Sequence, residues 1–223
     1  MNNLNYTLIQ QSLPLLMQGL ATTLTLWLTC STLALGIGFI IGLARSTRLR
    51  QSLISPALDA CTFVLRGIPF YVQLLIAYFV LPDLLGINLS ATSAAIVSLG
   101  LCSAAYVSQI VRGGINAIPD GQWEACAVLG YTTRQTVWYV IIPQMLRTVV
   151  PMLTNELDQL LKSTAIVSSI GVMELTRAGM NVIARELNPL SIYLTMAVLY
   201  VVLSGLLAIV SRLLAKGVAY DMR

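Results

Sequence analysis

The segment NELDQLLKST, residues 155–164, places an amide, two carboxylates and an ammonium in a run that is otherwise mostly leucine. At helical spacing Asn155, Asp158, Gln159 and Lys162 share one face, Glu156 flanks it, and Leu157, Leu160 and Leu161 lie behind. Asp158 and Lys162 stand acid first at i and i+4, the arrangement in which a carboxylate and an ammonium neutralise each other. Glu156 has no such partner on its own helix. A carboxylate removed from water and lacking a cation either takes up a proton or waits for a positive ligand, so Glu156 is the leading candidate for binding an amine or guanidinium. In RGIPFYVQ, residues 66–73, Gly67 and Pro69 weaken a helix and expose backbone groups that suit the carboxylate or amino group of a ligand. Arg66 pairs there with a ligand carboxylate or with an acid on another helix, and Gln73 follows on the same segment. Tyr106 and Gln109, at i and i+3, either line the same pathway or pack helix against helix.

The elements that must carry these groups are membrane spans. Of 223 residues, 57% are apolar and 10% charged, where soluble domains carry about 25% charged residues. Apolar stretches long enough to cross a bilayer fall at about residues 15–44, 53–81, 90–111, 148–170 and 190–214, since roughly 20 residues suffice. Counting about 1.5 Å per residue from Arg147 puts Asp158 roughly 16 Å deep, near the midplane, where an unpaired charge costs about 2.5–3.5 kcal/mol. Those charges must therefore face inward. Arg45, Arg48 and Arg50 follow the first span, Arg112, Arg134 and Arg147 lie between the third and fourth, and Arg212, Lys216 and Arg223 follow the fifth. This bias sets the N-terminus outside and the C-terminus in the cytoplasm. The net charge of +4 comes from basic residues scattered near span ends, so no nucleic acid partner is indicated. With no histidine and four unpaired-looking cysteines, neither a metal site nor a disulfide framework is expected, and the cysteines read as small packing residues. The N-terminus, MNNLNYTLIQ, has no basic region or cleavage site, so the first span is expected to be retained. One transmembrane domain, residues 1–223, with no second domain or internal repeat, is the expected organisation.

Between the third and fourth spans, residues 112–147 form a polar loop containing GQWEACAVLG. Asp120 after Pro119 is the expected N-cap of a two-turn helix that stops at Gly130, and Thr132 with Gln135 has the form of a capping box opening a second helix. By physics alone this pair can be an amphipathic connector lying on the lipid. The run EACAVLGYTTRQTVWYVIIP, however, resembles the EAA loop of ABC transporter permeases: Glu124, Ala125, Gly130, Ile141 and Pro143 match, Cys126 stands where alanine is usual, and Val140 and Ile142 are conservative departures. RGIPFYVQ, AAYVSQIVRGGINAIPDGQWEA (104–125) and NELDQLLKSTAIVSSIGVMEL (155–175) follow in the order of the polar amino acid uptake branch of that family, so the resemblance spans nearly the whole chain.

The resemblance implies an all-α polytopic permease of the type I ABC importer kind, with five transmembrane helices and short cytoplasmic coupling helices, in the bacterial inner membrane. It implies that Trp123, Glu124, Ala125 and Gly130 couple to a separate ATP-binding cassette ATPase, with Trp123 either a docking anchor or a headgroup anchor. It also implies a second permease subunit, identical or homologous, and a periplasmic or lipid-anchored substrate-binding protein received by the outer segment GVMELTRAGMNVIARELNPL (171–190). The chain has no glycine-rich phosphate loop, so it is expected not to be an enzyme, and ATP with magnesium belongs to the partner. Relatives more often have an apolar residue at the position of Asp158 and an acid where this chain has Ser163. The additional acid favours a cationic amino acid, arginine, lysine or histidine, over glutamate, while glutamine stays possible. The expectation is thus a permease for polar, cationic amino acids. The rival is a secondary amino acid transporter driven by an ion gradient, in which Asp158 and Lys162 relay protons but the EAA-like loop has no task. An intramembrane protease of the serine and histidine kind lacks its histidine.

Overall fold

The computed structural model describes residues 4–50 and 53–220, with side chains through Leu213. Among the described residues the secondary structure is entirely helical. In chain order the helices are α1 (Tyr6–Ala44), α2 (Ile54–Gly67), α3 (Phe70–Leu75), α4 (Leu81–Leu85), α5 (Ala91–Asn116), α6 (Asp120–Val128), α7 (Thr133–Thr136), α8 (Ile142–Ser163), α9 (Leu175–Glu186) and α10 (Pro189–Tyr220). Four spans are long and apolar enough to cross a membrane, and a fifth is obtained by counting as one the broken pair Ile54–Gly67 and Phe70–Leu85. α1 begins well before its apolar run because the Asn5 side chain accepts the Leu8 backbone N–H at 3.0 Å and caps it.

Two short π-helical turns, Ile76–Val80 and Val137–Ile141, share one cause. Each ends where an X–Pro pair, Leu81-Pro82 or Ile142-Pro143, removes a backbone donor. The N–H just before the proline reaches back five residues, Leu81 to Ile76 and Ile142 to Val137, widening the helix by one residue.

The chain folds as two compact units. The first comprises residues 1–32, 68–101 and 157–207. One of its cores gathers Leu26, Cys30, Leu74, Ala77, Leu99, Leu160 and Val167; another gathers Leu16, Leu20, Leu175, Ala178, Val182, Ile192 and Met196 around α9. The indole of Trp27 donates to the Leu157 carbonyl at 2.9 Å, and the Thr23 hydroxyl accepts the Leu175 N–H at 3.1 Å. Glu174, fully buried, caps α9 by accepting the N–H groups of Thr176 at 2.8 Å and Arg177 at 2.7 Å, and accepts the Tyr200 hydroxyl at 3.2 Å. Burial pushes the Glu174 carboxyl up from the ordinary glutamate value, while these donors pull the other way.

The second unit comprises residues 33–67, 102–156 and 208–223. Its core is Ala34, Val107, Val111, Ile115, Val137, Ile141, Ile142, Met145 and Val149. α1 meets α5 backbone to backbone: a Cβ at Gly38 would lie 2.7 Å from the Ala104 carbonyl oxygen, and one at Gly42 would lie 2.8 Å from that of Ser108. Gly38 and Gly42, four apart on one helical face, make this approach possible without a side chain between the axes. The end of α1 is fixed by Arg45, which is 4% exposed and donates to Asp59 at 2.7 Å and to the Ser108 hydroxyl at 2.8 Å. Asp59 also receives Arg112 at 2.9 Å and Arg50 at 3.2 Å, so a single carboxylate joins three guanidiniums from the α1 end, the following loop and α5.

Candidate functional site

The elbow between α5 and α8 is built by local chemistry. α6 starts one residue earlier than Asp120 would allow as a cap: Pro119 is the N-cap and Asp120 is the first helical residue. Proline's fixed φ ends the preceding turn, and Asp120 then places a negative charge in the first turn of α6 and pairs with Arg48. At the other end the N–H of Tyr131 bonds to the Cys126 carbonyl at 3.0 Å and that of Gly130 to Ala127 at 3.1 Å, while Gly130 adopts φ +77°. This is a Schellman closure, and the left-handed residue it needs is the glycine. Thr132 and Gln135 form the anticipated capping box on α7. Gln122 and Gln144 add a 3.1 Å bond from α6 to α8.

The faces of α6 divide into one that packs inward and one that is exposed. Trp123 is partly buried: it packs against the core of its own unit, on the same side of α6 as buried Cys126, and its remaining surface lines an open hollow. The helical period places Val128 on the opposite side, 87% exposed, and Leu129, the C-cap of α6, is 72% exposed, with Glu124 and Ala125 also exposed. The exposed aliphatic residues at the end of α6 are these two, with Tyr131, Trp138 and Tyr139 exposed further along the elbow, and one sequence does not distinguish the two from core residues because no partner surface is visible in it. The open hollow, of about 290 Å³, lies on the Trp123 side of α6, lined by Arg48, Trp123, Glu124, Ala127 and Tyr131 among others.

Of the candidate ligand-binding residues, Asn155, Glu156, Arg66, Gly67, Tyr106 and Gln109 belong to the second unit and Asp158 and Gln73 to the first. Within the second unit α5 gathers several of them. Ser103 of α5, 4% exposed, donates to Glu156 Oε1 on α8 at 2.5 Å. Tyr106, one turn on, lies under the guanidinium of Arg66, whose carbon is 5.3 Å from the ring centre. Arg66 thus rests on an aromatic face, and among the described residues it has no acidic counter-ion on another helix, one of the two partners expected for it. Gln109 Oε1 stands 3.5 Å from Arg45 Nη2, at the edge of the Asp59 cluster. Asn155 is exposed.

Within the first unit Lys162 and Asp158 form the anticipated i,i+4 pair at 2.5 Å, with Asp158 Oδ1 buried and without a hydrogen-bond partner. Gln73 spans the break ahead of α3: its side-chain amide donates to the Ile68 carbonyl at 2.8 Å, where Pro69 interrupts the backbone ladder. Among the cysteines Cys30, Cys102 and Cys126 are buried, whereas Cys61 is exposed on α2 and is not the packing residue expected. Ser103 and the Asp59 cluster carry no signal in one sequence, since a serine in an apolar helix and an aspartate near arginines acquire partners only through packing.

Comparison with known proteins adds an independent line. A family model described as binding-protein-dependent transport system inner membrane component matches residues 34–220. The arginine transport system permease protein of Bacillus subtilis is 35% identical over 210 residues, covering 94% of this chain and 95% of that protein. The glutamine transport system permease protein of Escherichia coli K12 is 35% identical over 215 residues, covering 95% and 96%. Among solved structures, an amino acid ABC transporter crystallised with histidines superposes with a TM-score of 0.87 at 32% identity, over 96% of this chain and 99% of that one. The methionine ABC transporter in an inward-facing conformation superposes at 0.80 with 25% identity, over 92% and 97%.

Proposed function

The chain belongs to the family of binding-protein-dependent transport system inner membrane components and is the permease subunit of an ABC amino-acid importer; from that premise we propose that it carries cationic amino acids and is driven through α6 and α7 by a separate ATPase. The observation that carries the substrate reading is Glu156. It is partly exposed, its hydrogen bond comes from a neutral hydroxyl, and among the described residues it enters no ion pair. A carboxylate so placed is completed by an ammonium or guanidinium on the cargo. The similarity to an arginine transport permease supports the same class, and the glutamine relative names the competing one.

The coupling reading is supported by the elbow. A two-turn helix closed by Gly130 and tied to α8 through Gln122 and Gln144 passes on a rigid-body shift that a loose loop would absorb. Its exposed Val128 and Leu129 supply the apolar centre of a docking surface for an ATPase, to which ATP and magnesium would belong. In this reading the elbow and C-terminus are cytoplasmic, the N-terminus is outside, a second permease subunit completes the pathway, and an external substrate-binding protein delivers the amino acid near α9. The spans form a single transmembrane domain.

Uptake of radiolabelled arginine, lysine, histidine and glutamine by cells carrying the complete transporter tests both halves. Arginine uptake that depends on the partner ATPase and drops at least tenfold in Glu156→Gln is expected. Uptake that persists without the ATPase on an ion gradient alone would support the secondary transporter instead, and undiminished arginine uptake by Glu156→Gln would remove the cationic assignment.

A further inference from the structure

Two side chains on one face of α5 each hold a charged residue from another helix of the second unit. Ser103, almost fully buried, donates to Glu156 of α8, and Tyr106, three positions on, supports the guanidinium of Arg66 at the end of α2. Side chains three apart on a helix have Cβ atoms about 5–6 Å apart, so α5 displays a carboxylate and a guanidinium from adjacent turns. Among the described residues neither charge is consumed by a counter-ion.

The two supports hold their charges without saturating them. The Ser103 hydroxyl occupies one acceptor position on Oε1, and a carboxylate has about four, so Oε2 remains for a ligand. The Tyr106 ring holds the guanidinium through its π-face, with the central carbon 5.3 Å from the ring centre, and this contact takes up no carboxylate, so the guanidinium keeps the capacity to fork onto one. The Tyr106 hydroxyl stands 3.5 Å from the Arg66 carbonyl, which brings the ring to the point where α2 ends.

We propose that Ser103 and Tyr106 are positioning residues that hold Glu156 and Arg66 as a dipolar clamp for a free amino acid with a cationic side chain, Glu156 taking the side-chain cation and Arg66 the α-carboxylate. The inference rests on the cationic-substrate reading above and adds to it a specificity device. Among the described residues Glu156 and Arg66 form no ion pair with each other, and opposite charges so held match a ligand whose own opposite charges are separated by a side chain. A neutral side chain leaves Glu156 unpaired, and a ligand without a carboxylate leaves Arg66 unpaired, so each mismatch carries a desolvation penalty.

The test is equilibrium binding of radiolabelled L-arginine to the complete purified transporter in lipid nanodiscs, competed with citrulline, which replaces the guanidinium by a neutral urea, and with agmatine, which lacks the carboxylate. Ser103→Ala should weaken arginine by about tenfold and leave citrulline unchanged, and Ser103→Thr should restore the preference. Tyr106→Ala should reduce the arginine-over-agmatine preference by a similar factor, and Tyr106→Phe, which keeps the ring, should preserve it. Retained citrulline binding in Ser103→Ala serves as the folding control. Parallel changes in arginine and citrulline, or a full arginine preference surviving Ser103→Ala, would overturn the positioning role alone. Wild-type protein that does not distinguish arginine from citrulline would instead overturn the cationic-substrate reading on which it rests.

Discussion

Arg45 Nε donates to Asp59 Oδ1 at 2.7 Å from a side chain that is only 4% exposed, so the end of α1 is fixed to α2 by a charge pair whose cationic member is buried and whose carboxylate is 25% exposed. Removing one partner of such a pair leaves a buried charge uncompensated and costs about 3–5 kcal/mol. Asp59→Ala should therefore lower the thermal unfolding temperature of the purified protein markedly. The single variants Arg50→Ala and Arg112→Ala, which remove more exposed partners from the same carboxylate, should cost about 1 kcal/mol or less each. Equal effects of all three would contradict the assignment of Arg45 as the buried member.

The elbow predicts a separation of stability from transport. Gly130 at φ +77° has open space around its Cα, so a side chain there is opposed by backbone conformation rather than by collision. Gly130→Ile forces a β-branched residue into a left-handed geometry at a cost of about 1–2 kcal/mol, local to the Schellman closure. Membrane levels should be near normal while uptake is lost. Leu129→Asp, on an exposed side chain, should do the same with no loss of thermal stability; normal uptake by both variants would detach the elbow from coupling.

Packing of α1 on α5 makes the opposite forecast. A side chain at Gly42 would run into the Val111 side chain and the Ser108 carbonyl oxygen, so Gly42→Leu requires the two helices to part. The expected result is low yield of folded protein, with Gly36→Leu as the control because a Cβ at Gly36 meets nothing within 4 Å.

Glu174 predicts a pH dependence. Its carboxyl is raised above the ordinary glutamate value of 4.5 chiefly by burial, so the folded state binds this proton more tightly than the unfolded chain does. The stabilisation is fully present below about pH 4.5 and is lost as pH rises through the folded value. Glu174→Gln lacks this titration. Apparent unfolding temperatures of wild type and variant measured from pH 4.5 upward should therefore diverge, with the wild type losing stability relative to the variant as pH rises; a constant difference would show that the proton is not taken up on folding.

Much of this architecture was legible in the residue order because it depends on local or additive properties. Span existence follows from summed side-chain transfer energies, and the Thr132 and Gln135 capping box and the Gly130 stop follow from backbone groups a few residues apart. The Asp158 and Lys162 pair was legible for the same reason, being set by helical spacing. Asp120 as the N-cap was wrong by one residue, because Pro119 already ended the preceding turn.

What the sequence by itself determined, then, is an all-helical membrane chain with an EAA-like elbow and a charged helix whose groups must avoid lipid. Only the tertiary structure decided which groups those charges meet: Ser103 for Glu156, the Tyr106 ring for Arg66, three arginines for Asp59, and an inward core contact for Trp123. Helix formation and membrane insertion are governed by interactions within a few residues and by summed hydrophobicity. The partner of a polar side chain is governed by the rotation and approach of helices far apart in sequence, such as the Gly38 and Gly42 contact of α1 with α5, and no local pattern encodes that rotation.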